Sequence, residues 1–131
     1  MKKVLTFGTF DLLHYGHIRL LKRAKEYGDY LIVGLSSDEF ALFKGKKTYF
    51  NYNQRKEILS SIKFVDEIIF TTSFEHEREL AKEMKPDVFV IGDDYVGKFD
   101  TLKEWGIEVI YLSRTPEIST SDIKKDLGEA R

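Results

Sequence analysis

The sequence predicts an α/β fold in which a parallel sheet is covered by helices on both faces. Three observations point there. Short, β-rich apolar runs recur along the chain. Stretches with apolar residues at helical spacing and charged residues between them separate these runs. Several of the helical stretches are preceded by residues that cap helices. Strands apolar on both faces belong inside a parallel sheet, and right-handed crossovers between them give a doubly wound, Rossmann-like arrangement. At 131 residues the chain suits one domain, 1–131, with one substantial core.

The elements follow in order. Val4 to Phe7 reads as a buried strand ending at Gly8. Ile18, Leu21 and Ala24 then recur at helical spacing, with Gly28 expected in the C-terminal glycine position. Tyr30 to Leu35 is a second strand. Asn51 and Gln54 form a capping box for a helix carrying Ile58, Leu59 and Ile62. Glu67 to Phe70 is a short strand, and Thr72 with Glu75 reads as a second capping box before Leu80, Ala81 and Met84. Val88–Gly92 and Val109–Leu112 are two more strands, and a last helix is expected from Ser119–Ser121 onward through Ile123 and Leu127.

Composition narrows the function. Apolar residues make up 42% and charged residues 33%, with two prolines and no cysteine. That composition is globular, and it removes disulfides, thiolate nucleophiles and cysteine-based zinc sites. The formal net charge of −1 argues against a general nucleic-acid or membrane surface. No apolar run approaches a membrane span, and the N-terminal run is too short for a signal peptide, so a cytoplasmic location is expected. An anion site must therefore be a local cluster of donors.

Open α/β sheets bind ligands at the carboxyl ends of their strands, near the point where strand order reverses. Those ends here are Gly8-Thr9-Phe10-Asp11, Ser36-Ser37-Asp38, Gly92-Asp93-Asp94 and Ser113-Arg114-Thr115. In the first loop, Gly8 and Gly16 let backbone approach a ligand, and His14 and His17 stand three residues apart at a helix start. A helix start offers free N–H groups and partial positive charge to phosphate. The loop is neither a Walker A sequence nor G-x-G-x-x-G. Two other readings of the histidines stay open: a structural role, and a zinc site with Asp11 as third ligand.

Gly8-Thr9-Phe10-Asp11-Leu12-Leu13-His14-Tyr15-Gly16-His17 resembles the H-x-G-H signature of the nucleotidylyltransferase superfamily, in the form of its cytidylyltransferase branch. Arg114-Thr115-Pro116-Glu117-Ile118-Ser119-Thr120-Ser121 is similar to the family's second signature, R-T-x-G-I-S-T-[ST], with Glu117 at its glycine position. Lys44-Gly45-Lys46-Lys47, Asn53-Gln54-Arg55-Lys56, Val65-Asp66-Glu67 and the segment from Gly92 to Asp100 also resemble this branch, so the likeness runs along nearly the whole chain.

The resemblance implies transfer of the cytidylyl group of CTP to a small phosphorylated alcohol, with sn-glycerol 3-phosphate as the leading acceptor. Phosphocholine, phosphoethanolamine and glycerol 2-phosphate are the alternatives, and a non-catalytic nucleotide-binding module is the rival of another class. Magnesium is expected to arrive bound through the CTP phosphates, with no metal site made by the protein alone. His14, His17, Lys46 and Arg114 are the candidate catalytic donors. Gly8, Thr9, Phe10, Asp11, Gly16, Gly92, Asp94, Thr115, Ile118, Ser119, Thr120 and Ser121 join them as candidate nucleotide ligands. Lys44, Arg55, Lys63 and Arg78 are candidate acceptor ligands. Lys63 stands where close relatives carry arginine, and Phe74 where they carry tryptophan. The family commonly forms homodimers, for which Tyr49, Phe50 and Tyr52 are candidate contacts. Product use in teichoic-acid or capsule synthesis is the implied setting.

Overall fold

A computed structural model describes residues 1–113 and 127. The described elements are β1 (Lys3–Gly8), α1 (Tyr15–Lys25), β2 (Tyr30–Ser36), α2 (Asp38–Phe43), α3 (Tyr52–Ser60), β3 (Glu67–Thr71), α4 (Phe74–Met84), β4 (Val88–Gly92) and β5 (Glu108–Leu112). Two 3₁₀ segments, Asp93–Tyr95 and Asp100–Trp105, lie between β4 and β5. The five strands form one sheet in the order β3-β2-β1-β4-β5, and every pair is parallel. Strand order reverses between β1 and β4, so the crevice expected of such sheets opens beside Gly8 and Gly92.

Side-chain alternation divides the core into two layers. Val4, Leu31, Val33, Leu35, Val88 and Val90 face one way and pack under Leu21 and Ala24 of α1 and Leu59 of α3. Leu5, Phe7, Ile32, Phe89 and Ile91 face the other way, against Ala81 of α4, Phe99 and Leu102. The doubly wound expectation therefore holds for the described residues.

Local details differ in three places. α1 ends at a right-handed C-cap, Glu26, so Gly28 is not its terminal left-handed glycine. A Cβ at Gly28 would lie 2.6 Å from the Lys2 carbonyl oxygen, and glycine is required by that close approach. α4 is capped by Ser73, whose hydroxyl accepts from the His76 N–H, rather than by a Thr72–Glu75 box. The third difference is α2, capped by Ser37, which the sequence reading did not contain. The Asn51–Gln54 capping box is present, with bonds of 2.9 and 3.1 Å. The expected last helix, and with it Arg114, Thr115, Ile118, Ser119, Thr120 and Ser121, lies outside the described residues.

Candidate active site

The site begins where β1 hands over to α1. Phe10 and Leu12 both adopt left-handed backbone (φ 47° and 49°), a conformation costly for residues with a Cβ and concentrated at functional loops. The Phe10 ring folds back so closely that a Cβ on Gly8 would lie 2.6 Å from its Cε2. Glycine at position 8 thus permits the loop to turn.

His14 is the N-cap of α1, and the two histidines cap the helix reciprocally. Nδ1 of His14 accepts the Gly16 N–H at 3.0 Å, and Nδ1 of His17 accepts the His14 N–H at 3.2 Å. A ring nitrogen that accepts a hydrogen bond carries no proton, so each neutral ring holds its proton on Nε2. The rings stack with centroids 3.9 Å apart and planes 24° from parallel, while Phe10 meets His17 edge-on at 5.4 Å. Burial pushes the His17 pKa from 6.5 down to about 3, helped by neighbouring His14 and Lys46 and opposed by Asp11. His17 is therefore neutral across the physiological range. The first turn of α1 contains no acidic residue, so the helix end keeps its partial positive charge. Together these features make a fixed pair of Nε2–H donors at a helix N-terminus.

Asp11 and Arg55 build the frame around this pair. The Asp11 carboxylate is buried and accepts the N–H groups of Tyr49 (2.7 Å) and Phe50 (3.1 Å). Arg55 is only 1% exposed, and donates to the carbonyls of Phe50 (3.1 Å) and Thr9 (2.9 Å) and to Asp38 Oδ1 (2.7 Å). Both expected ligands thus act within the protein, tying residues 49–55 to the first loop. For Arg55 this corrects the acceptor-binding expectation, because its guanidinium is enclosed by protein oxygens. The Asp11 carboxylate, a candidate nucleotide or zinc ligand in the sequence, is engaged here by two backbone N–H groups.

The segment tied down by Asp11 follows the Lys44–Lys47 cluster. Lys46 lies near enough to His17 to depress its pKa. Lys44 Nζ donates to Ser36 Oγ at 2.8 Å and sits 4.4 Å from the centre of the Phe40 ring, and burial lowers its pKa to about 8. Ser36 Oγ in turn donates to the Gly8 carbonyl at 3.2 Å. Thr9, beside it, is buried, and its hydroxyl has no hydrogen-bond partner among the described residues. Gly92 and the exposed Asp94 lie across the crevice at the end of β4.

Arg78 lies in the second turn of α4, at the carboxyl edge of the sheet. Lys63 does not. It precedes β3, where Asp66 accepts the Leu31 N–H at the start of β2, so it lies at the amino edge, away from the histidines of its own chain. The acceptor expectation for Lys63 is corrected accordingly.

One functional candidate went unseen in the sequence. Glu77 of α4 is 1% exposed, accepts from Thr71 Oγ1 at 3.1 Å, and lines a cavity with Phe7, Gly8, Lys44, Phe74, Tyr95 and Phe99. Burial raises its pKa to about 7 against the opposing pull of Lys44. Its position was legible: Phe74, Glu77, Ala81 and Met84 share one helical face, so a carboxylate stands on an apolar stripe.

A 3-2-1-4-5 parallel sheet with two fixed imidazole donors at its switch point defines a nucleotide-binding domain of the nucleotidyltransferase kind. The family model described as cytidylyltransferase-like matches residues 5–126. The chain belongs to the cytidylyltransferase-like family. It is 58% identical over 128 residues to a glycerol-3-phosphate cytidylyltransferase of Bacillus spizizenii, covering 98% of each chain. It is 54% identical over 127 residues to one of Staphylococcus aureus, covering 97% of this chain and 96% of that one. Among solved structures, a lipopolysaccharide core biosynthesis protein of Thermoplasma volcanium superposes with a TM-score of 0.73 at 34% identity, covering 87% of this chain and 98% of the other.

Proposed function

We propose that this chain transfers the cytidylyl group of CTP to sn-glycerol 3-phosphate, giving CDP-glycerol and pyrophosphate. The near-full-length identity to glycerol-3-phosphate cytidylyltransferases carries the choice of substrates. The paired Nε2–H donors carry the chemistry.

A phosphate oxygen of the acceptor attacks the α-phosphorus of CTP in line. The bond from that phosphorus to the bridging oxygen breaks, and pyrophosphate leaves with the electron pair. The attacking oxygen is already anionic, so no general base or protein nucleophile is required. The work lies in holding two anions together and stabilising charge that grows on the phosphoryl oxygens. His14 and His17 suit it because capping bonds at Nδ1 fix both rings with Nε2–H as the free donor, and burial keeps His17 uncharged. Lys46 adds a cation, and Arg114 is the proposed donor from the second signature.

Magnesium fits the residues present. Among the described residues no cluster of three potential ligands stands ready to cage a metal, and Mg²⁺ prefers phosphate oxygens, waters and one or two carboxylates. Asp93 and Asp94 supply exposed carboxylates at the crevice, and the ion would offset charge on the departing pyrophosphate.

The chain acts as a homodimer in this reading, which the exposed Phe43 (79%) and Tyr49 (69%) support; Phe50 is half-buried, and Tyr52 packs on the core and against Phe70. Sedimentation of a single monomeric species at micromolar concentration would contradict it. No described helix is long and apolar enough to cross a membrane. The proposed setting is a cytoplasmic enzyme supplying teichoic-acid or capsule precursors. The test of function is coupled pyrophosphate release from CTP. Release that depends on glycerol 3-phosphate supports the assignment, and turnover with ATP but not CTP contradicts it.

A further inference from the structure

Lys44 holds its charge in poor surroundings. Its Nζ donates to the buried Ser36 Oγ and lies 4.4 Å from the centre of the Phe40 ring, and no salt bridge among the described residues reaches it. A lysine so placed loses its proton more readily than one in water. Lys46 and Arg55 add to that tendency, and one anion, Glu77, opposes it. The sheet brings the two charged heads together. Ser36 of β2 and Thr71 of β3 are register partners, so their side chains stand side by side on one face. Ser36 holds Lys44, and Thr71 Oγ1 donates to Glu77 Oε2 at 3.1 Å. Ser36 and Thr71 are fully buried, and Glu77 nearly so. Lys44 and Glu77 also line one cavity of about 10 Å³, room for a single water and nothing larger. A carboxylate is costly to bury unless a nearby charge offsets it.

We propose that Glu77 is a positioning residue for the transfer reaction, holding the Lys44 ammonium charged and in place through one buried water that bridges Glu77 Oε1 and Lys44 Nζ. The inference rests on the proposed reaction, in which Lys44 is a cation for the acceptor phosphate. Glu77 touches no substrate itself. Thr71 engages Oε2, and no hydrogen bond among the described residues reaches Oε1. The water accepts from Nζ and donates to Oε1, the two bonds that a buried water needs at the least. From Lys44 the chain of bonds runs on through Ser36 Oγ to the Gly8 carbonyl (3.2 Å), where the first loop departs. Around the pair, Lys44 and Arg78 favour ionised Glu77, and Tyr95 feels its charge; Lys46 and Arg55 face Lys44. Burial raises the Glu77 pKa to about 7 and lowers that of Lys44 to about 8. The carboxylate thus ionises over the range in which Lys44 begins to need an anion to keep its proton.

The test is the pH profile of kcat/KM for glycerol 3-phosphate at saturating CTP. Its basic limb, set by loss of the Lys44 proton, should lie near the Lys44 value of about 8 in the wild type. Glu77→Gln keeps the shape and removes the charge, and should move that limb down by at least about one pH unit. A shift of that size is a deficit of about tenfold at about pH 9 that closes to within about twofold at about pH 6. A deficit equal at every pH would mark a merely structural role, and either that result or an unmoved limb overturns the proposal. Lys44→Arg, whose guanidinium keeps its proton throughout, should lose the limb, and adding Glu77→Gln should not change the shape of its profile. A limb that survives Lys44→Arg also overturns it. Should Glu77→Gln not fold, carbon NMR of the wild type decides: Lys44 Cε and Glu77 Cδ should each report both titration steps, and independent single steps overturn the pairing. A crystal structure near neutral pH should show one water within about 3.2 Å of both heads, and a direct ion pair would overturn the bridge. No wild-type release of pyrophosphate from CTP and glycerol 3-phosphate would instead sink the functional reading, with the NMR titration still reporting on the pair.

Discussion

Acid should destabilise this protein through His17. The imidazole is held neutral in the folded chain with a pKa of about 3, against 6.5 when exposed, chiefly because it is buried and also because His14 and Lys46 lie nearby. Between those values the unfolded chain binds a proton that the native chain refuses. His17 therefore adds its full contribution above pH 6.5 and loses it progressively as pH falls toward 3. At pH 5 the loss spans about 1.5 pH units, or about 2 kcal/mol at 1.36 kcal/mol per unit. His17→Asn removes the titration, and its side-chain oxygen can still accept the His14 N–H. Urea unfolding at fixed protein concentration should show the wild type losing about 2 kcal/mol more than the variant between pH 7.5 and 5, equivalent to a difference of about 1 M in midpoint. Titrations common to both proteins cancel in that difference. Parallel stability curves for the two would refute the burial argument and with it the claim that His17 is a neutral donor.

Other consequences follow from the frame. Arg55→Lys cannot serve two carbonyls and Asp38 with one ammonium, so thermal unfolding should show a loss of about 2–4 kcal/mol; a selective rise in acceptor KM at unchanged Tm would restore Arg55 as an acceptor ligand. Asp11→Ala leaves the Tyr49 and Phe50 N–H groups without their acceptor, and amide exchange at those two positions should accelerate along with a fall in kcat. Unchanged exchange would show that the carboxylate is not the clamp. Gly34→Ala would place a Cβ 2.3 Å from Phe7 Cδ1 and 3.0 Å from Thr71 Cγ2. Calorimetry should show about 1–3 kcal/mol of destabilisation from that overpacking, and a neutral result would mean that the Phe7 ring has room to move.

The sheet was legible because its strands are apolar on both faces and each is closed by a turn or a capping residue, signals that survive without tertiary knowledge. The H-x-G-H loop was equally legible, since glycines, histidines and a helix start must fall at fixed spacing to make the site. α2 escaped because six residues hold too few turns to establish a period, and the 3₁₀ segments for a similar reason. Arg55 was misread for a physical cause. Oxygens of Thr9 and Asp38, from distant segments, converge with the nearby Phe50 carbonyl on its guanidinium, and sequence spacing does not reveal that convergence. Lys63 was placed by family position, whereas the path of α3 carries the chain back to the amino edge before β3 begins. Glu77 stood in plain view on an apolar helical face, and what sequence spacing does not show is that Lys44 and a cavity lie beside it.

Central to the proposed chemistry are two imidazoles that offer fixed Nε2–H donors to the phosphates of CTP, the buried one of them, His17, uncharged. Long-range ¹H–¹⁵N correlation spectra of the histidine rings at pH 7, recorded before and after adding CTP, observe this directly. Both His14 and His17 should appear as Nε2–H tautomers with unprotonated Nδ1 in each state, and their Nε2–H resonances should shift on addition of nucleotide. An imidazolium or Nδ1–H form at His17, or Nε2–H signals indifferent to CTP, would contradict it.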